Sequence, residues 1–319
     1  MKIEVDTLSY LRQLQTVPAE ELAKALWTYQ RAHNPVLKRY CDLLKQETPT
    51  FLPISFFKHF ELQTAPPWQA QAVFESSGTT GQQPSRHFVR DLKLYEAVSE
   101  EAFFRFFPRQ SYQILALLPS YLERGNSSLV YMVQHWIRSF GLEGSGFFLD
   151  DFAALRRQID AARGPLLIIG VAFALLDFAG QFPGALPPGS LVLETGGMKG
   201  RREELTRAQL HQALCQAFEL PFISSEYGMT ELMSQAYAPR EGRFFAPPWL
   251  KVVITDVHLP ELLQPPGISG RINFIDLANV HSCAFIATDD IGRMHADGSF
   301  EVLGRLDHAE LRGCSLMYS

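Results

Sequence analysis

Apolar positions recur at helical spacing through the first sixty residues and then give way to short apolar runs that alternate with helical stretches. Pro18 with Glu20 and Glu21 opens one early helix, because proline suits a first turn and acids favour the positive helix end. The run AVFESS (72–77) predicts a strand that enters a Gly/Ser/Thr loop, and a helix is expected from about Asp91. A strand QILALLP (113–119) follows, then a helix over SSLVYMVQHWIRSF with Asn126 as its cap. Asp150 is the expected cap of DFAALRRQIDAAR, with Gly164 just past its end. LLIIG (166–170) is an apolar run of the buried parallel-strand kind, and SLVLETGG (190–197) is a strand running into a glycine turn. Thr206 caps RAQLHQALCQAF, and FISSEYG (222–228) returns to the sheet. In the last seventy residues KVVITDVHL, GRINFIDLA, CAFIATDD and SFEVLGR read as strands joined by turns, with little helix.

This order predicts an α/β body followed by a smaller β-rich subdomain. The expected organisation is one continuous domain in two parts. Residues 1–190 form the helical N-terminus and an α/β subdomain; residues 191–319 form a second α/β and β-rich subdomain. PGALPPGS (183–190) is the expected surface connection between them.

Composition narrows the function. The chain has 319 residues, 46% hydrophobic and 20% charged, with 29 Lys+Arg against 34 Asp+Glu and a net charge of −5. A mildly acidic chain without a basic block is a poor candidate for nucleic acid or an anionic membrane as main partner. The N-terminal MKIEVDTLSY carries charge where a secretory signal needs an apolar run, and the longest apolar stretch, Leu166 to Leu176, is too short to span a bilayer. The cysteines at 41, 215, 283 and 314 contain no CxxC pair and read as free thiols, so a cytoplasmic location is expected.

Four segments can carry chemistry. In the first, Ser76-Ser77-Gly78-Thr79-Thr80-Gly81, a loop after a strand can point backbone N–H groups and hydroxyls at an anion. It is not a Walker A loop, because no Lys follows Gly81, and taken alone such hexamers are mostly solvated turns. In the second, Glu226 to Leu232, the Tyr227 ring beside flexible Gly228 can cover a planar base, with Thr230 and Glu231 set to meet a phosphate and its metal; a plain strand-to-loop junction reads the same way. In the third, Ala287 to Arg293, an acid at a strand end can accept from both hydroxyls of a ribose, although Asp-Asp and Gly also suit a turn. The fourth, Gly304 to Gly313, places Arg305 and Asp307 at the end of another strand.

The order and spacing of the four are more specific than any one of them. Together they resemble the adenylate-forming superfamily, which includes the acyl-CoA synthetases: a phosphate loop of the SSGTTGxPK type, a YGxTE segment at Tyr227–Glu231, a TGD-like segment at Thr288-Asp289-Asp290, and a GRxD segment at Gly304–Asp307. PSYLERGNSSLVYM (119–132), LETGGMKGR (193–201), SEYGMTELMSQAYA (225–238) and GRLDHAELRGCSLM (304–317) are similar, more narrowly, to the LuxE-like acyl-protein synthetases of the bacterial fatty acid reductase complex. That likeness runs from about residue 50 to the end.

The resemblance implies an α/β fold of the adenylate-forming N-terminal domain, with layered α/β/α subdomains and a smaller β-rich subdomain. It implies that a carboxylic acid, in the bioluminescence members a fatty acid, and ATP give an acyl-adenylate and pyrophosphate. The acyl group then passes to an enzyme cysteine near the C-terminus and on to a partner reductase. Carried over residue by residue, Ser76 to Gly81 hold the ATP phosphates, Tyr227 and Gly228 the adenine, Thr230 the α-phosphate, Glu231 the Mg²⁺, Asp290 the ribose, and Arg305 the ribose or phosphate. Thr195-Gly196-Gly197 is the backbone passing the adenine.

Departures from the pattern define further candidates. The superfamily carries a C-terminal lid with a catalytic Lys after the GRxD segment; this sequence ends shortly after Asp307, so the lid is expected to be lacking. Of eight lysines the last is Lys251, which makes Lys199 the candidate for the missing cation, with Arg201 or Arg124 as substitutes and an exposed loop charge as the competing reading. The phosphate loop lacks its trailing Lys, and Arg86 is the nearest base. Cys314 is the expected acyl-carrying thiol, with Arg312 to favour the thiolate and His308 as a weaker candidate base. Cys41, Cys215 and Cys283 lie in helix or strand patterns and read as filler, and His135 and His211 as structural. The acyl pocket is expected between the loop after Pro119 and the strand after Leu191. Two alternatives stay open: a stand-alone ligase loading a carrier protein or coenzyme A, and a non-catalytic scaffold of an acyl-transfer complex.

Overall fold

The computed structural model describes residues 1–76, 83–118, 125–196 and 205–306. Its strands, in chain order, are β1 (Leu52–Pro53), β2 (Ala72–Glu75), β3 (Arg86–Val89), β4 (Gln113–Leu117), β5 (Gly146–Phe147), β6 (Leu166–Val171), β7 (Leu191–Thr195), β8 (Ser224–Tyr227), β9 (Ala236–Ala238), β10 (Leu250–Thr255), β11 (Ser269–Asp276), β12 (Phe285–Met294) and β13 (Phe300–Arg305). They fall into two compact units, one made of Met1–Gln69 together with the chain from Pro248, the other of Ala70–Pro247. The boundary expected at 190/191 falls at the start of β7, inside the sheet of the second unit.

The Ala70–Pro247 unit is built on a six-stranded sheet in the order β5-β4-β6-β7-β8-β9. All its pairs are parallel except β8–β9. Every residue of β4 and β6 is buried, which is why those strands read as unbroken apolar runs rather than alternating ones. β6 passes directly into the helix Ala172–Gln181. That helix packs on Arg207–Phe218, with the Phe178 and Phe218 rings 5.8 Å apart. Of the Phe-rich run 103–107, Phe103 and Phe107 are core: Phe103 meets Trp136 at 4.8 Å, Phe107 at 4.8 Å and Tyr237 at 6.0 Å. The separate hairpin β2–β3 is antiparallel.

Two helix caps sit one residue later than the sequence suggests. The helix Ser128–Phe140 is capped by Ser127, whose hydroxyl accepts from Val130 N–H, while the Asn126 carbonyl accepts from Glu75 N–H. The helix Phe152–Ala161 is capped by Asp151, not Asp150. In both cases neighbouring residues have equal capping chemistry, and for Asn126 a contact with distant Glu75 accompanies the choice. Thr206 does cap Arg207–Phe218, in a reciprocal box with Gln209.

In the other unit, β12 is the long central strand. β11 lies along one edge, with β10 beyond it, while β1 and β13 share the opposite edge. The helices Thr7–Thr16, Ala19–His33 and Pro35–Leu44 belong to this unit. Trp27 stands edge-on to Phe285 at 5.1 Å. Polar side chains also join helix to sheet. Buried Gln30 donates to the carbonyls of Asn279 (2.7 Å) and Val280 (3.1 Å) and accepts from Ala284 N–H (2.9 Å). Asn34 caps the third helix and donates to the Ser282 carbonyl at 3.0 Å. These bonds satisfy the irregular backbone of 277–284, which lies inside the unit and away from water.

Candidate functional site

The parallel strands of the second unit deliver its candidate residues to one edge. β7 ends at Thr195 and continues into exposed Gly196; β8 ends at Tyr227 and continues through Gly228, Thr230 and Glu231. Ligands of open α/β sheets bind beyond the carboxyl ends of such strands. Thr195 and Glu226 lie opposite each other in the β7–β8 register, and their side chains are hydrogen-bonded.

Ser76 ends the described approach to the phosphate loop. Its N–H donates to the Ser85 carbonyl at 3.0 Å, and its Oγ accepts from Ser85 N–H at 2.9 Å. This double tie anchors the two sides of the loop to each other. Arg86, the base nearest the loop, follows on β3 with its guanidinium 5.5 Å from the Phe88 ring. Buried His87 has its Nδ1 2.8 Å from the carbonyl oxygen of Thr230, so the hairpin holds the backbone of the α-phosphate candidate. Leu232 N–H donates to the Met229 carbonyl, closing the turn that presents Thr230 and buried Glu231.

Around this edge lies a buried polar network. Glu194 is 3% exposed and takes Arg207 Nε at 3.1 Å and His211 Nε2 at 3.5 Å. His211 Nε2 lies 3.2 Å from Ser225 Oγ. The Arg207 guanidinium covers the Phe244 ring at 5.0 Å, and Phe244 meets the Tyr227 ring edge-on at 5.8 Å. Burial, with Glu194 adding to it, pushes the Glu226 carboxyl up to about 7 against the lowering effect of the Thr195 hydroxyl. Glu194, His87 and Arg207 lie outside the four segments, and Glu226, the first residue of the second, carries no role in it. The signal for the two acids was a carboxylate inside short, mostly buried strands.

The other unit brings Asp290 and Arg305 together. They are register partners on β12 and β13, with Arg305 Nε 3.2 Å from Asp290 Oδ1. Asp290 is 7% exposed and the Arg305 side chain 73%, so the pair has one fixed partner and one accessible one. Thr288 is structural: its hydroxyl donates to the Ile272 carbonyl at 2.7 Å and accepts from Asp290 N–H at 3.0 Å. Gly292 is required beside this pair, because a Cβ there would lie 2.4 Å from the Glu301 carbonyl oxygen.

Ser77 to Gly81, Gly197, Lys199, Arg124, Arg201, Asp307, His308, Arg312 and Cys314 lie outside the described residues. Of the other thiols, Cys41 and Cys283 are buried and Cys215 is half-buried in a helix. Cys283 precedes β12 rather than lying in it, and its thiol donates to the Phe285 carbonyl. Burial raises all three thiols, Cys283 to about 12. His135 sits between Glu96 and Glu100, a structural setting like the one expected for it.

Among the described residues no group of three or more His, Cys, Asp and Glu forms a metal cage. Glu231, with the Thr230 hydroxyl beside it in sequence, fits Mg²⁺, which takes one or two carboxylates and completes its shell with phosphate oxygens and water. No described helix is long and apolar enough to cross a membrane.

Solved structures with this fold are adenylate-forming enzymes. The ATP-bound structure of MatB from Rhodopseudomonas palustris is similar over 76% of this chain, with a TM-score of 0.56 and 17% identity. An open conformation of 2-hydroxyisobutyryl-CoA ligase is similar over 93% of this chain and 78% of its own, with a TM-score of 0.65 and 12% identity. The chain spans half the length of MatB. The class is therefore the adenylate-forming fold, in its N-terminal domain. A family model described as acyl-protein synthetase, LuxE, matches residues 143–319. The long-chain-fatty-acid–luciferin-component ligase of Aliivibrio fischeri is 24% identical, covering 98% of this chain and 93% of the relative. The chain belongs to the LuxE family of acyl-protein synthetases, which are ligases.

Proposed function

We propose that this chain activates a fatty acid with ATP and transfers the acyl group to a protein thiol, first its own Cys314 and then a partner protein, a reductase or a carrier. The observation that carries the reading is the delivery of Thr195-Gly196 and Tyr227–Glu231 to the carboxyl ends of adjacent parallel strands, in a chain of this family.

A carboxylate resists thiol attack because its leaving group is oxide. Its oxygen attacks the α-phosphorus of ATP, the bond to pyrophosphate breaks, and the acid becomes an acyl-adenylate. Positioning and charge neutralisation carry this step. Tyr227, backed by Phe244, stacks on the adenine beside the Thr195–Gly196 backbone. Thr230, its carbonyl held by His87, directs its hydroxyl to the α-phosphate. Asp290 takes the ribose hydroxyls, with Arg305 beside it. Glu231 and phosphate oxygens would hold Mg²⁺, which supplies neutralisation of phosphate charge. Ser76 to Gly81 take the departing phosphates, and Lys199 supplies the cation that a lid lysine gives elsewhere.

In the second half, a thiolate attacks the acyl carbonyl, the bond to the AMP oxygen breaks, and a thioester forms. Burial works against ionisation of Cys41, Cys215 and Cys283, which supports Cys314 as the nucleophile. Acid-dependent exchange of pyrophosphate into ATP tests the activation half. Exchange is expected with long-chain fatty acids; ATP binding without exchange for any acid in a panel from acetate to palmitate and benzoate would overturn it in favour of a scaffold. Release of acyl-coenzyme A without labelled protein would assign the chain to the stand-alone ligases.

A further inference from the structure

Two buried carboxylates, Glu194 and Glu226, stand one residue short of the ends of β7 and β8 on opposite faces of the sheet, and the motif roles use neither. Their surroundings differ. Glu194 has the guanidinium of Arg207 and the imidazole of His211. Glu226 has the Thr195 hydroxyl, and among the described residues it takes part in no ion pair. It is also in close register with the turn it precedes: a Cβ on Gly228 would lie 2.4 Å from Glu226 Oε1. One carboxylate thus bonds the last residue of β7 and fills the hollow beneath the turn that follows β8. Any side chain at 228 would have to displace the Glu226 carboxylate. Tyr227, between them, is steadied from its other side by Phe244, which lies under Arg207.

We propose that Glu226 is a positioning residue for the nucleotide: by bonding Thr195 and filling the hollow against Gly228, it fixes where the Tyr227–Glu231 segment leaves the sheet. The inference rests on the reading of that segment as the ATP-contacting one. Two strand ends that must each present backbone to one ligand have to keep a fixed spacing, and a short side-chain bond between register partners does this without occupying the ligand's space.

The arrangement favours an uncharged Glu226. Tyr237, its register partner on β9, shares its face of the sheet, and the charge of Glu194 acts on it from the other face; the cations Arg207 and His211, from the helix Arg207–Phe218, bond Glu194 instead. Ionising Glu226 adds a second negative charge across the sheet from Glu194 in a buried site. The spacing of the strand ends then loosens as pH rises through the range of this group.

The test compares wild type, Glu226→Gln and Glu226→Ala by pyrophosphate exchange and by equilibrium binding of ATP, from about pH 6 to about pH 8. Glu226→Gln keeps an acceptor for Thr195 and cannot ionise. It is expected to match wild type at the acid end and to lack the rise in KM for ATP that wild type shows at the alkaline end. Glu226→Ala, folded by circular dichroism, is expected to raise KM and Kd for ATP about tenfold, the worth of one good hydrogen bond. A merely structural acid would lower the yield of folded protein and leave KM and its pH profile alone. If Glu226→Ala does not fold, the comparison of wild type with Glu226→Gln decides. Superimposable pH profiles of those two, or an unchanged ATP Kd in folded Glu226→Ala, overturns the inference. Failure of the adenylation reading shows separately, as wild type that binds ATP but exchanges no pyrophosphate; the ATP Kd values of the variants still decide the role of Glu226.

Discussion

Replacing Glu226 with Gln should make the protein more stable above neutrality, and the gain can be worked from the site. The carboxyl is 6% exposed, and burial raises it from 4.5 to about 7. A folded-state value above the unfolded one means that the native state binds the proton more tightly. The associated stability is complete below the unfolded value, is lost as pH rises towards 7, and is absent beyond it. At about 1.4 kcal/mol per pKa unit, the loss in wild type approaches roughly 3 kcal/mol. Glutamine has the same shape, still accepts from Thr195, and undergoes no such loss. Urea unfolding of both proteins at about pH 5 and about pH 8 measures the effect. The stability of Glu226→Gln relative to wild type should rise by that amount between the two conditions. Parallel behaviour across the range would mean that Glu226 ionises freely in the folded protein, and the argument from its burial would fail.

Removing Arg207 as Arg207→Met leaves Glu194 buried without its guanidinium and should cost on the order of 3 kcal/mol. Adding Glu194→Gln should recover most of that loss, and additive losses in the double variant would refute the pairing. Asp290→Ala should raise the KM for ATP with little effect on kcat, because ribose contacts act equally in ground and transition states, whereas Glu231→Ala should lower kcat. If both alter only KM, Glu231 does not serve the transferring phosphate. Lys199→Ala should slow exchange about a hundredfold with the fold intact, as loss of an oriented donor to developing charge does elsewhere. Unchanged exchange would move that role to Arg124 or Arg201.

Much of the architecture was legible because burial leaves a local imprint. β4 and β6 are unbroken apolar runs, and Thr206 with Gln209 spells out its own cap. The candidate residues were picked out for a different reason, the expectation that a nucleotide site draws on the ends of strands: Tyr227, Thr230 and Glu231 stand at or beside such an end, whereas Asp290, expected at one, lies in the middle of β12 opposite Arg305. What the pattern concealed depends on partners distant in sequence. Gln30 and Asn34 look like surface positions of amphipathic helices, yet they serve the backbone of residues 277–284. Asn126 and Ser127 are equally good caps by type, and a strand-end contact of Asn126 with Glu75 accompanies the choice. Glu194 and Glu226 had no assigned role by type; the parallel register sets Glu226 opposite Thr195, and the helix Arg207–Phe218 brings a counter-ion to Glu194. His87 was silent because its partner is a backbone carbonyl, which leaves no trace in residue type.

The most direct test of the central claim is covalent labelling by the substrate. Wild type and Cys314→Ser are incubated with ATP, Mg²⁺ and a radiolabelled long-chain fatty acid, and the protein is counted before and after neutral hydroxylamine. The account predicts stable, hydroxylamine-sensitive label on wild type, none on Cys314→Ser, and pyrophosphate exchange retained by both, because activation precedes the thiol. Equal label on the two proteins, or an unlabelled wild type that exchanges pyrophosphate briskly, would contradict it.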